Sequence, residues 1–343
     1  MRLTWTVDTL ELTHPFRISR GVMSTRQAVT VTVTGPDSDH FGRGEVVTSP
    51  HAQLDVDRIE EHLHHAREHC GRDGADLDRA LAAVHPAVAA AVWSAVAELR
   101  ARTDDQPLVV HLGLPLRTEV PITRTLGIGT PEAMATEATS LMAQGFRLLK
   151  VKTDADQAAS VRRLAAVAAA APDAELIVDP NEAWTAATAL RVLADTRGLP
   201  VVALEQPLPA SDRDGQRELR SRTDVPVIAD EAVHSLPDLD DLDGLADAVN
   251  IKLPKCGGIY RAHGLAAAAR ERGMDVMLGC LASSSLSIAP AVHLASVARW
   301  CDLDGHLLLA RDPWTGLGGE DGVLRPSGRP GLGVHRQDSE EPR

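Results

Sequence analysis

The sequence predicts an α/β protein whose parallel strands close into a barrel, with a smaller α+β unit before it. Five apolar runs each end in an ionisable residue, and these residues lie 22 to 27 positions apart: Lys152, Asp179, Glu205, Asp230 and Lys252. This spacing matches one strand, one helix and two loops of a parallel βαβ unit, and about eight such repeats favour a closed barrel. A charge at the end of an apolar strand is costly unless it faces a polar cleft. The strand ends are therefore predicted to converge on one site.

The order of these elements divides the chain into three predicted segments. Residues 1–115 form the α+β unit, and residues 116–315 alternate between strand and helix, which indicates a parallel sheet. Residues 316–343 are rich in Gly and Pro and are expected to return to the first unit, with a frayed tail. The predicted elements are an antiparallel sheet over 1–48 with a turn at 35–37, helices over 54–70 and 76–103, and barrel helices over 131–145 and 157–171.

Composition and charge exclude several classes of partner. The 343 residues carry a net charge of −13, whereas nucleic acids and anionic membranes attract basic surfaces. No run of about 18 apolar residues predicts a membrane span, and the N-terminus alternates like a strand rather than a signal peptide. Four cysteines lack the paired spacing of a metal site and are predicted to be reduced, mostly buried thiols of a cytoplasmic protein: Cys70, Cys256, Cys280 and Cys301. The sequence leaves the oligomeric state open and allows a homo-oligomer.

Three carboxylates end successive predicted strands and form a candidate metal site. Oxygen ligands suit a hard cation, and three carboxylates with open positions suit Mg²⁺. For Asp179, Glu205 or Asp230 alone, a solvated acid at the start of a loop is the more common meaning. Their placement at the same point of three consecutive strands favours a shared magnesium ion.

Lysines precede and follow the three carboxylates in sequence. Lys150 and Lys152 are two residues apart on one strand, so their side chains face the same way and each is expected to lower the pKa of the other. A lysine with a lowered pKa can act as a general base. The alternative, a surface pair on an edge strand, fits poorly with the preceding apolar residues. Lys252 lies on a later strand and would approach a substrate from the opposite side, while Lys255 follows in the next loop.

The chain resembles the enolase superfamily, in its muconate-lactonizing-enzyme-like branch. The resemblance implies a (β/α)7β TIM-like barrel with an N-terminal α+β capping domain, completed by the C-terminal segment. The motifs that carry it, in the family's order, are Leu149-Lys150-Val151-Lys152, Val178-Asp179-Pro180-Asn181-Glu182, Leu204-Glu205-Gln206-Pro207-Leu208, Ala229-Asp230-Glu231 and Asn250-Ile251-Lys252-Leu253-Pro254-Lys255-Cys256-Gly257-Gly258.

The resemblance also implies a mechanism and its residues. Lys152 and Lys252 would act as the two bases of a 1,1-proton transfer through an enediolate intermediate, with Lys150 keeping Lys152 neutral enough to act. Mg²⁺ would be the cofactor. The expected supporting residues beside the metal site are Asn181, Glu231 and Lys255.

One further motif indicates the substrate. Asp302-Leu303-Asp304, at the predicted eighth strand, resembles the Asp-x-Asp element with which dipeptide epimerases hold the free ammonium group of their substrate. An acidic strand end before a turn is the alternative meaning. The resemblance implies a dipeptide substrate, with L-Ala-D/L-Glu as the first candidate. The further expected substrate contacts are Thr125, Cys280, Ala282 and Arg20, the last towards an acidic side chain.

Other functions on the same barrel stay open at this point. An o-succinylbenzoate synthase, an N-succinylamino acid racemase or a muconate cycloisomerase acts on substrates that lack a free ammonium group. An acid-sugar dehydratase usually needs a histidine on a late strand, whereas His263 and His293 lie in predicted helices. Outside enzymes, a catalytically silent metal-binding barrel is the alternative.

Overall fold

A three-stranded antiparallel sheet with helices packed on it forms the N-terminal part of the protein. The computed structural model describes residues 1–19, 21–35, 40–69 and 74–337. The predicted turn at 35–37, Arg20, Cys70 and the predicted frayed tail lie wholly or mostly outside these ranges. The N-terminal elements, with the strands in spatial order, are β1 (Arg2–Ile18), β2 (Gly21–Thr34), β3 (Phe41–Val47), α1 (Val56–His69), α2 (Gly74–Ala82), α3 (Pro86–Thr103) and α4 (Leu108–His111), with a short 3₁₀ helix at Pro50–Ala52.

Alternation along β2 explains why this sheet packs against helices. Val29, Val31 and Val33 point to one face and are fully buried with the helices. Helix α3 approaches β3 very closely, because a Cβ atom at Gly44 would lie only 2.1 Å from the carbonyl oxygen of Ala91. Glycine at this position is therefore a packing requirement.

The single helix predicted over 76–103 was wrong, because the structure contains two. Helix α2 ends at Ala82 and α3 begins at Pro86, whose missing N–H suits the first position of a helix. His85 caps α3 by accepting a hydrogen bond from the backbone N–H of Ala87, at 3.1 Å. Helices α5 and α6 begin where predicted, each with an N-cap residue that accepts a backbone hydrogen bond: Thr130 and Asp156.

The predicted barrel is confirmed. Eight strands lie side by side in chain order from β5 to β12, and seven helical connections join them. The two edges meet where the backbone N–H of Thr123, just before β5, donates to the carbonyl of Cys301 in β12 at 2.8 Å. The elements are β4 (Val120–Pro121), β5 (Arg124–Leu126), α5 (Pro131–Gln144), β6 (Leu148–Lys152), α6 (Gln157–Ala170), β7 (Glu175–Asp179), α7 (Ala186–Asp195), β8 (Val201–Glu205), α8 (Arg213–Arg222), β9 (Val227–Ala229), α9 (Asp238–Asp241), β10 (Ala248–Lys252), α10 (Leu253–Cys256), α11 (Ile259–Glu271), β11 (Asp275–Gly279), α12 (Ser285–Val292) and β12 (Trp300–Asp302), with 3₁₀ helices at Ala295–Val297 and Gly305–Leu308.

The C-terminal segment returns along the chain that precedes the barrel. It contains β13 (Trp314–Thr315), which pairs with β15 (His335–Arg336), and β14 (Val323–Leu324), which pairs with β4. Gly331 exchanges backbone hydrogen bonds of 2.9 Å with Leu108 and Gln106. The domain boundaries at residues 115 and 315 stay predictions. Within the described ranges, none of the helices combines the length and apolarity that crossing a membrane requires.

The barrel interior is layered along each strand. A small apolar cluster fills its lower part and contains Ile177, Ala203, Ile228, Ala248, Met277 and Trp300. In five of the six strands that carry these residues, the side chain two positions further on, which faces the same way, is polar. The charged layer predicted from sequence therefore lies directly above an apolar floor, at the carboxyl ends of the strands.

Candidate active site

The charged layer at the carboxyl ends is almost completely shielded from solvent. Asp179 and Glu205 have 0% exposure, and Asp230, Lys150 and Asp302 have 3%. Burial of so many charges is tolerable only when opposite charges meet, so the pairing of these groups describes the site.

Lys150 occupies the centre of the layer. Its Nζ contacts the carboxylate of Asp302 and lies 3.3 Å from Glu205 Oε2 and 3.6 Å from Asp179 Oδ2. Burial alone would lower the pKa of Lys150, but these three carboxylates outweigh it and raise the pKa well above its usual value. The expectation of a lowered pKa for Lys150 was therefore wrong, because the sequence did not show which acids would surround it.

Lys152 lies at one flank of the carboxylates. Its Nζ donates to Asp179 Oδ2 at 2.5 Å and to Asn181 Oδ1 at 3.0 Å. Asn181 adopts a left-handed backbone conformation with φ of 47°, which lets its N–H donate back to Asp179 Oδ1 at 2.9 Å. Its amide also reaches Glu231 Oε1 at 3.5 Å. The predicted supporting residues Asn181 and Glu231 thus meet beside Lys152.

Lys252 lies at the other flank. Its Nζ donates to Asp230 Oδ2 at 2.7 Å, and Lys255 Nζ donates to Asp230 Oδ1 at 2.5 Å. Burial would raise the pKa of Asp230, but Lys252 and Lys255 outweigh it and hold the pKa far below its usual range. For Lys252, burial would lower the pKa, but Asp230 and Glu205 outweigh it and raise the pKa. For Lys255, burial prevails over Asp230 and lowers the pKa.

Strand order places Lys152 and Lys252 on opposite sides of the acids. Lys152 reaches from β6 to Asp179 on the adjacent β7, and Lys252 reaches from β10 to Asp230 at the end of the adjacent β9. Glu205, on β8, lies between the two pairs. The topology of the sheet therefore produces a lysine, a row of three carboxylates and a second lysine on the far side.

Glu205 is the least satisfied member of the row. Its Oε1 accepts a hydrogen bond from Asn250 Nδ2 at 2.8 Å, whereas Oε2 accepts none from any described residue. Burial, followed by repulsion from Asp179, raises the pKa of Glu205 to about 7, with Asp230 adding to the effect. An unbonded carboxylate oxygen among buried acids has the donor chemistry of a hard-cation site. Among the described residues, no group of three Asp, Glu, His or Cys side chains is arranged to hold a metal ion. Each acid of the row contacts a lysine instead.

The predicted ammonium-binding pair lies beside Thr125 at the closure of the barrel. Asp302 accepts from Thr125 Oγ1 at 3.3 Å, and Asp304 accepts from the backbone N–H of Thr125 at 2.8 Å. Asp304 also contacts Arg124 Nη1 at 3.3 Å. Each of the two acids therefore already faces a cation of the chain, Lys150 or Arg124.

Cys280 and Ala282 follow the end of β11 on the same side of the barrel mouth. Burial, followed by the nearby charges of Asp304 and Asp302, raises the pKa of the Cys280 thiol, so it stays protonated. Ala282 is 7% exposed. The structure thus brings together the predicted lysines and acids with Asn181, Thr125 and Cys280, while Ala282 is placed only by its position two residues after Cys280. Arg20 lies outside the described ranges.

Three residues without a predicted role also shape the site. Arg124 holds Asp304, Asn250 holds Glu205, and Gln206 Oε1 accepts from the backbone N–H groups of Asp230 at 2.9 Å and Ala232 at 3.1 Å. The sequence did contain a signal for Asn250. It lies two residues before Lys252 on the same strand, so both side chains face inward. For Arg124 and Gln206, the contact is with another strand, and sequence spacing carries no signal for it.

Comparison with known proteins places this site in a family. A family model described as enolase C-terminal domain-like matches residues 133–340. The chain belongs to this enolase C-terminal domain-like family. It is 38% identical to the L-Ala-D/L-Glu epimerase of Escherichia coli (strain K12) over 312 residues, which cover 87% of this chain and 91% of that protein.

Solved structures agree with this assignment to the enolase-like family. The L-Ala-D/L-Glu epimerase from Bacillus subtilis, in a substrate-liganded complex, matches with a TM-score of 0.91 and 28% identity over 97% of this chain and 98% of that one. The dipeptide epimerase from Methylococcus capsulatus, complexed with Mg and the dipeptide L-Arg-D-Lys, matches with a TM-score of 0.88 and 32% identity over 97% and 98%. The resemblance predicted from the motifs is confirmed, and the chain is an isomerase of the racemase and epimerase class that acts on amino acid derivatives.

Proposed function

We propose that this enzyme is a Mg²⁺-dependent dipeptide epimerase that inverts one α-carbon by moving a proton from one face to the other. The observation that carries the proposal is the placement of Lys152 and Lys252 on opposite flanks of three buried carboxylates. A racemase needs a proton acceptor on one face of the α-carbon and a donor on the other, and this arrangement supplies both.

Asp179, Glu205 and Asp230 would hold the magnesium ion. The unbonded Oε2 of Glu205 and the repulsion among the three acids support this assignment, because a divalent cation would relieve both. When bound, Mg²⁺ would take up negative charge from the substrate carboxylate as the α-proton leaves.

The two lysines would exchange roles with the direction of the reaction. Lys152 in its neutral form removes the α-proton from one epimer, and protonated Lys252 delivers a proton to the other face. In the reverse direction Lys252 is the base and Lys152 the acid. Lys150, whose three carboxylate partners keep it charged, supplies fixed positive charge between them.

The opposite wall of the barrel mouth would hold the amino end of the dipeptide. Asp302 and Asp304 would accept hydrogen bonds from its ammonium group, and Thr125 fixes both carboxylates through its hydroxyl and its N–H. Cys280 and Ala282 would line the cavity nearby. L-Ala-L-Glu is the first substrate to test, with Arg20 as the proposed partner of its acidic side chain.

The Arg124–Asp304 contact favours one rival, an N-succinylamino acid racemase. Because Arg124 and Lys150 already oppose the charges of Asp304 and Asp302, this end of the cavity is less acidic than two free aspartates would make it. A ligand without an ammonium group could therefore bind there. Turnover of matched pairs, each a free dipeptide and its N-succinyl amino acid counterpart, separates the two functions.

We also propose that the enzyme works in the cytoplasm, because the described cysteines, Cys256, Cys280 and Cys301, are free thiols. Fractionation of the source cells tests the location. Activity outside the cytoplasmic fraction would contradict it.

Deuterium exchange tests the mechanism most directly. In D₂O, the wild-type enzyme should place deuterium at one α-carbon of either epimer. Lys152→Ala and Lys252→Ala should both lose epimerisation, and each should retain α-proton exchange for only one epimer, the opposite one in each variant. Mass spectrometry and chiral chromatography measure both outcomes. Exchange of the same epimer by both variants, or full epimerisation by either, would refute the two-base scheme.

A further inference from the structure

Glu45 is a buried acid that connects the N-terminal sheet to the barrel. It lies on β3, yet its carboxylate accepts hydrogen bonds from the backbone N–H of Ser284 at 2.9 Å and from Ser284 Oγ at 2.5 Å. The two residues are 239 positions apart in the chain. Glu45 is only 7% exposed, so this contact is shielded from water.

Ser284 ends a short segment that borders the candidate active site. We call residues 280–284, between β11 and α12, the β11–α12 linker. The preceding residue, Gly279, lies against Lys252, since a Cβ atom there would be 2.8 Å from Lys252 Cε. The carbonyl of Leu281, within the linker, would be 2.1 Å from a Cβ atom at Gly305, the residue after Asp304.

These contacts place the linker between Lys252, one of the proposed bases, and Asp304 of the proposed ammonium site. Side chains of Asn250 and Lys252 pack against Gly279, just before the linker, and the Leu281 carbonyl packs against Gly305, so little free space remains on either side. A shift of the linker would therefore alter the distance between Lys252 and Asp304, and with it the position of a substrate that spans them.

Helix capping alone does not explain a buried carboxylate at this place. Ser284 already caps α12, because its Oγ accepts from the backbone N–H of Leu286 at 3.3 Å. Asp312 holds the next residue, accepting from the N–H of Ser285 at 3.0 Å and from its hydroxyl. Glu45 sits in the repulsive field of Asp312 and Asp8, which makes its charge more costly to bury.

We infer that Glu45 is a positioning residue, which fixes the β11–α12 linker so that a bound dipeptide keeps its α-carbon between Lys152 and Lys252. The inference rests on the proposed function for its effect on turnover. Its structural part, that Glu45 immobilises the linker, is independent of the substrate.

Cys280, the first residue of the linker, provides a readout that needs no activity. Its thiol is partly shielded and protonated, so alkylation by iodoacetamide should be slow while the linker is held in place. Peptide mapping by mass spectrometry separates Cys280 from the buried Cys256 and Cys301.

The test compares Glu45→Ala and Glu45→Gln with wild type at pH 8, and Glu98→Gln serves as the matched control. Glu98 is also a buried glutamate of the N-terminal part, but its partners are the N–H of Arg43 and the side chain of Arg102. Glu45→Ala should speed Cys280 alkylation about tenfold or more, because two hydrogen bonds to a charged acceptor are lost. Glu45→Gln keeps one acceptor and should speed it about threefold. Glu98→Gln should leave the rate unchanged.

Kinetics complete the test. Glu45→Ala should lower kcat/KM about tenfold, mainly through a higher KM, with the Mg²⁺-dependent rise in melting temperature preserved, and Glu45→Gln should recover part of the loss. An unchanged alkylation rate in Glu45→Ala, or an equal increase in Glu98→Gln, would overturn the inference. If Glu45→Ala fails to fold, an unchanged rate in Glu45→Gln has the same meaning. Should wild type turn over no dipeptide, the proposed function fails, while the alkylation rates still decide the role of Glu45.

Discussion

Two regions of the molecule bury carboxylates in opposite ways. In the N-terminal part, Glu98 has both oxygens satisfied, one by the N–H of Arg43 and one by Arg102. At the barrel mouth, three acids repel one another, and Glu205 Oε2 has no hydrogen bond from a described residue. Satisfied buried acids stabilise or specify a fold, whereas crowded and incompletely bonded acids are typical of functional sites. The contrast indicates that the barrel acids are arranged for a ligand and not for stability.

The largest difference in activity and stability should appear between two variants that each remove one buried negative charge, Glu205→Gln at the barrel mouth and Glu98→Gln in the N-terminal part. Glu205→Gln should lower epimerase activity about 10³-fold and abolish the Mg²⁺-dependent rise in melting temperature, because the least satisfied ligand is lost. Without Mg²⁺ it should be at least as stable as wild type, since one buried repulsion is removed. Glu98→Gln should retain activity and the Mg²⁺ response but lose about 1–3 kcal/mol of unfolding free energy. Calorimetry with and without Mg²⁺ measures the stability and the Mg²⁺ response of both variants. Equal destabilisation by the two variants would contradict the difference between the two regions.

A smaller effect should come from the ammonium site, where the acids are satisfied by cations. Asp304→Asn should lower kcat/KM for a free dipeptide about 10- to 100-fold, because a charge-assisted hydrogen bond to the ammonium group is lost. Turnover of an N-succinyl amino acid should change little. A fall of the same size for both substrates would show that Asp304 acts through the fold and not through the ammonium group.

The smallest effect should appear in the pH dependence of stability. Burial raises the pKa of Glu45 from 4.5 to about 7, with Asp312 and Asp8 adding to the effect and Ser284 opposing it. Between these values the folded state holds a proton that the unfolded chain has lost, so stability falls as pH rises and levels off above about 7. From pH 5 to pH 6, wild type should lose about 1 kcal/mol relative to Glu45→Gln. Urea unfolding at both pH values measures this difference, and parallel pH profiles of the two proteins would contradict it.

The sequence was most informative where structure is locally periodic. Parallel strands all end at one edge of a sheet, so the regular spacing of Asp179, Glu205 and Asp230 predicted their neighbourhood without coordinates. The same regularity misled the prediction at the helix over 76–103. Its Ala- and Val-rich part suggested one continuous helix, while Pro86, a residue that favours the first turn, marks a second start.

Contacts between distant elements were beyond the reach of sequence patterns. Arg124 meets Asp304 only because the barrel closes, 180 residues along the chain. The high pKa of Lys150 depends on acids from three other strand ends. Charge pairing acts through space, and spacing along one chain does not specify which groups share a volume.

The sequence by itself therefore determined the fold class, the family and the layer of charged side chains, because alternation along a strand and the direction of parallel strands are local properties. Only the tertiary structure decided which lysine faces which acid, which carboxylate oxygen accepts no hydrogen bond from a described residue, and that Glu45 holds the linker beside Lys252. These outcomes depend on barrel closure and on the packing of the N-terminal sheet, which bring together groups that the chain keeps far apart.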